Sequence, residues 1–380
     1  MTIEYGLLST HPPTRCGLAT FNAALAAQLT IAGVSGGVVR VTAAGDDERP
    51  ERGVVHTWSR GTAAGWRDAA DALNSFDVAI VQHEYGIYPD TDGADVVRLL
   101  HRLTVPSIVV LHTVLAQPSP GQRSVLEQVV DAAGAVVTMT GTGRDRLLLG
   151  YSVDAAKVSV IPHGVGDHLV AVPAARPRQS HLLTWGLIGP GKGIEWTIRA
   201  LARLRHLDPA PTYTVAGQTH PKVIEREGEA YREGLHRLGV LLGVDHMVRY
   251  EDEYHDAATL STLIASADVV VLPYDSREQV TSGVLIEAVA AGVPVVATAF
   301  PHAVELLGDG RGHIVAHKDP AALANAIQRA LSEPGPAPRN VGGDLPAASS
   351  LRWPAVAERY ETLARRLVKS ASVPVKAESA

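Results

Sequence analysis

Short runs rich in Val, Ile and Leu alternate with longer segments of helical period along almost the whole chain. No other feature restricts the fold as tightly. A strand-helix-strand series pairs its strands in parallel and lays the crossover helices over the sheet. The strand candidates fall into two series. The first comprises Ile3–Leu8, Gly37–Val41, Val78–Gln82, Ser107–Leu111, Ala135–Met139 and Val158–Ile161. The second comprises Leu182–Trp185, Tyr213–Ala216, Met247–Tyr250, Val269–Leu272, Val295–Ala297 and His313–Val315. Both read as parallel strands buried on two faces. Ile194–Arg205 and the charge-rich Pro221–Leu242 read as helices of the second series.

A chain of 380 residues is long for one core, because ordinary domains run roughly 100 to 200 residues, so two α/β domains are expected, residues 1–165 and 181–335. The proline-bearing segment Gly166–Ser180 has no periodicity and reads as the connection between them. A second connector, rich in Pro, Gly, Ser and Ala, follows Leu331. Beyond it a helix within residues 352–370 carries Val356, Tyr360, Leu363 and Leu367 as an apolar stripe that needs a partner surface. Residues from about Ala371 are expected to fray. Apolar residues at 46% and charged residues at 19% are enough to give both domains a core.

A net charge of −6 lacks the concentrated basic surface that nucleic acid or an anionic membrane requires, so no nucleic-acid partner is expected. Cys16 is the single cysteine and excludes an internal disulfide. The opening MTIEYGLLSTHPP lacks the basic flank and apolar run of a signal peptide, and no run of eighteen apolar residues occurs. The expected location is cytoplasmic.

In open α/β sheets ligands bind beyond the carboxyl ends of strands, where a glycine-rich turn feeds a helix whose free amides face an anion. Three such turns are present. In HPPTRCGLATF, Gly17 opens a helix with Leu18, Phe21, Leu25 and Leu29 on one face; it permits close approach of a phosphate or simply a tight turn. The turn Gly186–Gly193, GLIGPGKG, places Gly189, Gly191 and Lys192 ahead of the Ile194 helix. Lysine at a helix start is locally unfavourable, so an anion there explains it better than a solvated loop does. In QVTSGVLIE, Gln279 to Glu287, a helix begins near Gly283, so that Thr281, Ser282 and Gly283 present amides outward. Glu287 lies one turn on and suits ribose hydroxyls, or else balances the helix dipole. His112 closes the strand Ser107–Leu111, where a ring can meet a sugar; a lone histidine is otherwise structural.

HPPTRCGLATFNAAL, IPHGV, GLIGPGKGIEWTIRAL and SGVLIEAVAAGVPVVAT, in this order and spacing, resemble glycosyltransferase family 4 of the GT-B superfamily across nearly the whole chain. The resemblance implies an α/β GT-B fold, with two Rossmann-like doubly wound domains facing a cleft and a carboxyl-terminal helix crossing back to the amino-terminal domain. It implies a retaining transferase that moves a hexose from a nucleotide diphosphate-sugar, GDP-mannose or UDP-glucose in type, to a hydroxyl acceptor. By resemblance Gly17, Gly189, Gly191 and Lys192 face the donor diphosphate, Glu287 takes the ribose, and His112 contacts the transferred sugar. Lys192 and the helix beginning at Gly283 would stabilise the departing diphosphate in a front-face displacement.

Two positions depart from the pattern. Leu187 stands where relatives carry a second diphosphate-binding cation, and Gln279, with Glu278 beside it, stands where they carry a sugar-contacting glutamate. SREQVTSG resembles a subgroup with this loop, in which Thr281, Ser282 and Arg277 are expected to replace the missing cation. His11, His83, Glu84 and Tyr85, with Tyr88 nearby, are the acceptor-side candidates, for a sugar, a small molecule or a lipid-linked acceptor at a membrane surface. Gln218–His220 and Arg249–Tyr254 are candidates for the base. No Asp-x-Asp pair ends a strand, and EDEY, with Asp252, reads as a solvated strand end, so neither metal nor cofactor is expected. The rival readings are a GT-B phosphorylase using inorganic phosphate, a non-catalytic nucleotide-sugar binding module and an epimerase.

Overall fold

The computed structural model describes residues 2–30, 36–43, 52–166, 179–332 and 348–371. The chain divides into two compact units, Met1–Gly164 with Arg352–Ala380, and Val165–Leu351. The first contains β1 (Tyr5–Ser9), α1 (Gly17–Thr30), β2 (Gly36–Thr42), β3 (Val54–Ser59), α2 (Gly65–Leu73), β4 (Val78–His83), α3 (Asp95–Arg102), β5 (Ser107–Leu111), α4 (Pro120–Ala132), β6 (Ala135–Thr138), α5 (Gly141–Gly150) and β7 (Val158–Val160). The second contains β8 (His181–Trp185), α6 (Ile194–Leu204), β9 (Thr212–Ala216), α7 (Pro221–Glu227), α8 (Ala230–Leu242), β10 (Val248–Glu251), α9 (Ala257–Ser266), β11 (Val269–Leu272), α10 (Gly283–Ala290), β12 (Val295–Thr298), α11 (Pro301–Leu307), β13 (His313–Val315) and α12 (Pro320–Ser332). Helix α13 (Trp353–Ala371) returns to the first unit.

Both sheets are parallel. The first has the order β3-β2-β1-β4-β5-β6-β7, the second β10-β9-β8-β11-β12-β13. The direction of winding reverses between β1 and β4 and again between β8 and β11. These switch points open a crevice at the carboxyl ends of the strands, where a doubly wound fold binds ligands.

The apolar stripe of α13 finds its partner on the first sheet. Val356, Tyr360 and Leu363 are buried with Phe21, Leu25 and Leu29 of α1 and with Ile80, Ile108 and Val110 of the strands. Each large side chain removed from water in this way contributes about 1.5–3 kcal/mol. At the return to this unit a Cβ on Gly164 would lie 2.3 Å from the Trp353 ring, so the absence of a side chain lets the indole dock.

Strand β3 escapes the apolar-run criterion because VVHTWS is an edge strand in which only Trp58 is buried. Pro221–Leu242 is two helices, not one: Gly228 takes φ 59, a left-handed conformation that ends α7. The candidate connectors fall largely at 167–178 and 333–347, and the expected frayed end at 372–380; all lie outside the described residues.

Candidate functional site

In the second unit β8 runs into the glycine turn with Gly186 at φ 119, Gly191 at φ 91 and Gly193 at φ 65. A Cβ on Gly193 would meet Pro273 O at 1.9 Å, and one on Gly217 would meet Gly186 O at 2.0 Å, so backbone alone fits at both points. The turn is laced to the loop after β9: Ile188 N donates to Gln218 O at 2.9 Å and His220 N to Ile188 O at 2.8 Å. Buried Arg232 braces that loop, donating from Nη2 to Gly217 O at 2.7 Å, from Nε to Thr219 Oγ1 at 3.1 Å and from Nη1 to Asp252. Asp252 stays exposed at the strand end, as expected of EDEY, and from there pairs with the buried guanidinium.

Lys192 is half-buried, and its Nζ stands 4.6 Å from the centroid of the Tyr274 ring. Among the described residues no carboxylate forms an ion pair with it. The cation is held by an aromatic face and left unneutralised. A Cβ on Gly186 would lie 4.0 Å from Lys192 Nζ and 3.7 Å from Val284 of α10, so glycine turn, lysine and helix start converge. Gly189 lies against Val223, while nothing lies within 4 Å of the Cβ position at Gly191.

Thr281 and Gly283 are half-exposed at the start of α10. Ser282 differs from its expected role. Its Oγ caps the helix by accepting Leu285 N at 3.2 Å, and its own amide donates to His302 Nδ1 at 2.8 Å, so both groups are used inside the protein. Gln279 Nε2 donates to Thr281 O at 2.5 Å, folding that side chain onto its own loop. Glu287 is half-buried and accepts a hydrogen bond from Trp185 Nε1 at 3.1 Å. Burial pushes its carboxyl up to about 7, against the opposing effect of the Trp185 donor.

In the first unit the ends of β4 and β5 form a second cluster. His112 Nε2 lies 2.8 Å from Gln82 Oε1, and His112 N donates to His83 O at 3.1 Å. Thr113 Oγ1 donates to Glu84 Oε2 at 2.5 Å, while Glu84 Oε1 accepts Tyr85 N at 3.0 Å. Phe21 presents ring contacts to His112 and His163, both at 5.0 Å between centroids. Burial, then the neighbouring His163 and His83, push His112 down to about 3. His11, 9% exposed, places Nδ1 3.3 Å from Asn22 Nδ2 on α1.

Two acceptor-side expectations are corrected here. His83 is 1% exposed, with its ring against Tyr85 at 5.2 Å, and Tyr88 is 1% exposed with its hydroxyl donating to Gln82 O at 2.6 Å. Both side chains belong to the interior. Glu84 and Tyr85 are half-buried. Gly17 is exposed, with open space at its Cβ position, and the preceding Cys16 accepts Ala19 N through Sγ at 3.4 Å. Sequence reasoning missed Gln82, Thr113, Trp185 and Arg232. Gln82 alone carried a signal, an amide that follows an apolar run near the carboxyl end of its strand.

No described helix is long and apolar enough to cross a membrane, and no three His, Cys, Asp or Glu side chains among the described residues converge as a metal cage. Residues 179–333 match the family model described as glycosyl transferases group 1. The chain is 33% identical over 230 residues to D-inositol 3-phosphate glycosyltransferase 2 of Catenulispora acidiphila, an alignment covering 57% of this chain and 52% of that protein. It thus spans about half the length of this curated relative. Sucrose-phosphate synthase from Thermosynechococcus elongatus superposes with a TM-score of 0.75 at 20% identity, covering 97% of this chain and all of the other. Anabaena HepE in complex with UDP and glucose gives 0.69 at 16% identity, with 97% of each chain covered. With its two parallel-sheet domains and these neighbours, the fold is GT-B.

Proposed function

We propose, from the glycosyl transferases group 1 domain and the site built on it, that this chain transfers a hexose from a nucleotide diphosphate-sugar to a hydroxyl acceptor with retention. One observation carries the proposal. Within a single unit a glycine turn closed to any side chain at Gly193, an unneutralised lysine and the start of α10 converge beside a half-buried carboxylate. Lysine and helix amides suit a diphosphate, and an acceptor-only carboxylate suits a ribose diol. A phosphorylase using inorganic phosphate would have no use for Glu287.

In the proposed reaction the bond between the anomeric carbon and the leaving phosphate oxygen breaks as the acceptor oxygen attacks from the same face. The acceptor proton passes to the leaving diphosphate. Lys192 and the amides at the start of α10 stabilise the charge that gathers on that group, and no metal is needed for the task, so turnover should persist in EDTA. His112 meets the transferred sugar, and Glu84 and Tyr85 meet a sugar, polyol or lipid-linked acceptor. The donor is of the UDP-glucose or GDP-mannose type, and the enzyme works in the cytoplasm.

Thermal-shift screening with nucleoside diphosphates and their sugars tests this reading. A matching nucleotide at a hundred times its dissociation constant stabilises the chain by about 2.7 kcal/mol, and Lys192→Ala removes most of the gain. A panel in which no nucleotide raises the melting temperature would refute the proposal, as would a gain that survives the substitution intact.

A further inference from the structure

Gln82 is the penultimate residue of β4, Val-Ala-Ile-Val-Gln-His, which is apolar up to that point, and it is fully buried. Its Nε2 has no hydrogen-bond partner among the described residues. A buried amide donor left unpaired opposes folding, so an apolar side chain of similar length would serve the core at least as well. What glutamine adds is one acceptor, Oε1, set 2.8 Å from His112 Nε2.

The rest of the surroundings hold the ring without competing for its nitrogens. Three consecutive residues at the end of β4 grip two at the end of β5: Gln82 through its side chain, His83 through its carbonyl and Glu84 through its carboxylate on Thr113. Phe21 meets the imidazole edge to face. The titratable groups nearby are His83 and His163, both pushed down to about 4 by burial and so neutral, and Glu84, which is engaged by Thr113 and the Tyr85 amide.

We propose that Gln82 is a positioning residue that holds His112 as its Nε2–H tautomer, so that Nδ1 is a hydrogen-bond acceptor for a hydroxyl of the transferred sugar. The sugar contact rests on the function proposed above; the tautomer does not. A carbonyl oxygen can only accept, so the proton it meets must sit on Nε2, and the remaining nitrogen must then offer a lone pair. A neutral ring also suits the chemistry. Positive charge develops on the sugar as the diphosphate leaves, and an imidazolium beside it would oppose that step.

The test begins without any ligand. Nitrogen chemical shifts of His112 in the full-length chain should show Nε2 protonated and Nδ1 bare, with the ring neutral from pH 8 down to about 4. Gln82→Met should keep or raise the melting temperature while erasing the tautomer preference. With the donor found by the nucleotide panel, it should lower kcat at least tenfold and leave nucleoside diphosphate affinity unchanged. Gln82→Glu should raise the ring's titration by at least two pH units and make turnover fall as pH drops through the new value. A wild-type ring protonated at Nδ1, or a Gln82→Met chain with an unaltered tautomer, overturns the proposal. Absence of nucleotide binding by the wild type would instead sink the donor reading, and the tautomer measurement would still decide whether Gln82 positions His112.

Discussion

The glycine-turn site of the second unit and the strand-end cluster of the first are made in different ways. Around Lys192 the work is done by backbone: positive φ at Gly186, Gly191 and Gly193, a close approach at Gly217 and the amides that open α10. Around His112 it is done by side-chain pairs that bridge two strands, Gln82 with His112 and Glu84 with Thr113, about thirty residues apart in sequence. A backbone site tolerates no added atom at its close approaches, Gly193 and Gly217, but accepts much variation in neighbouring side chains. A paired site tolerates changes of shape but depends on the identity of each partner.

Substitutions should divide along this line. The largest effect is expected at Lys192. Its replacement by alanine removes a cation aimed at the departing group and should lower turnover at least a hundredfold, about 3 kcal/mol of transition-state stabilisation, with the fold intact by circular dichroism. Gly193→Ala should come next, acting on the fold itself. The new Cβ would fall 1.9 Å from Pro273 O at φ 65, so the melting temperature should drop by several degrees or soluble protein should be lost.

Glu287 links the two effects through pH. Its carboxyl sits near 7 in the folded chain, above the ordinary carboxylate range, so between about 4.5 and 7 the folded state holds a proton that the unfolded state has released. Stability from this group is therefore lost as pH rises through 7. Glu287→Gln should raise the melting temperature above pH 7 and change little at pH 4.5, as calorimetry at the two pH values would show. Donor affinity should run the opposite way. Ribose hydroxyls donate to the ionised form, so binding should strengthen as pH climbs through about 7 in the wild type and become flat in the variant. The smallest effect is expected of Ser282→Ala, which loses a helix cap worth about 1 kcal/mol. Because its amide and hydroxyl face inward, nucleotide affinity should change less than threefold.

The same division governs what could be read from the amino-acid sequence. Parallel strands, the glycine turn, the α10 start and the apolar stripe of α13 follow from periodicity and from residue types with narrow backbone roles. β3 was hidden because an edge strand need not be apolar, and the break at Gly228 was hidden because α7 and α8 together keep a helical composition. Ser282 was misread because a hydroxyl before a helix serves a cap and a ligand equally well. His83 and Tyr88 were misread because polar residues at a strand end look available until the neighbouring elements cover them. The bond from Gln82 to His112 depends on the register of β4 with β5, Gln82 beside Val110, which periodicity does not specify.

A crystal structure with bound nucleoside diphosphate addresses the central claim most directly. The terminal phosphate should lie within about 3 Å of Lys192 Nζ and of a backbone amide at the start of α10, with the ribose hydroxyls on Glu287 released from Trp185. A diphosphate bound away from Lys192, or a ribose that never meets Glu287, would contradict it.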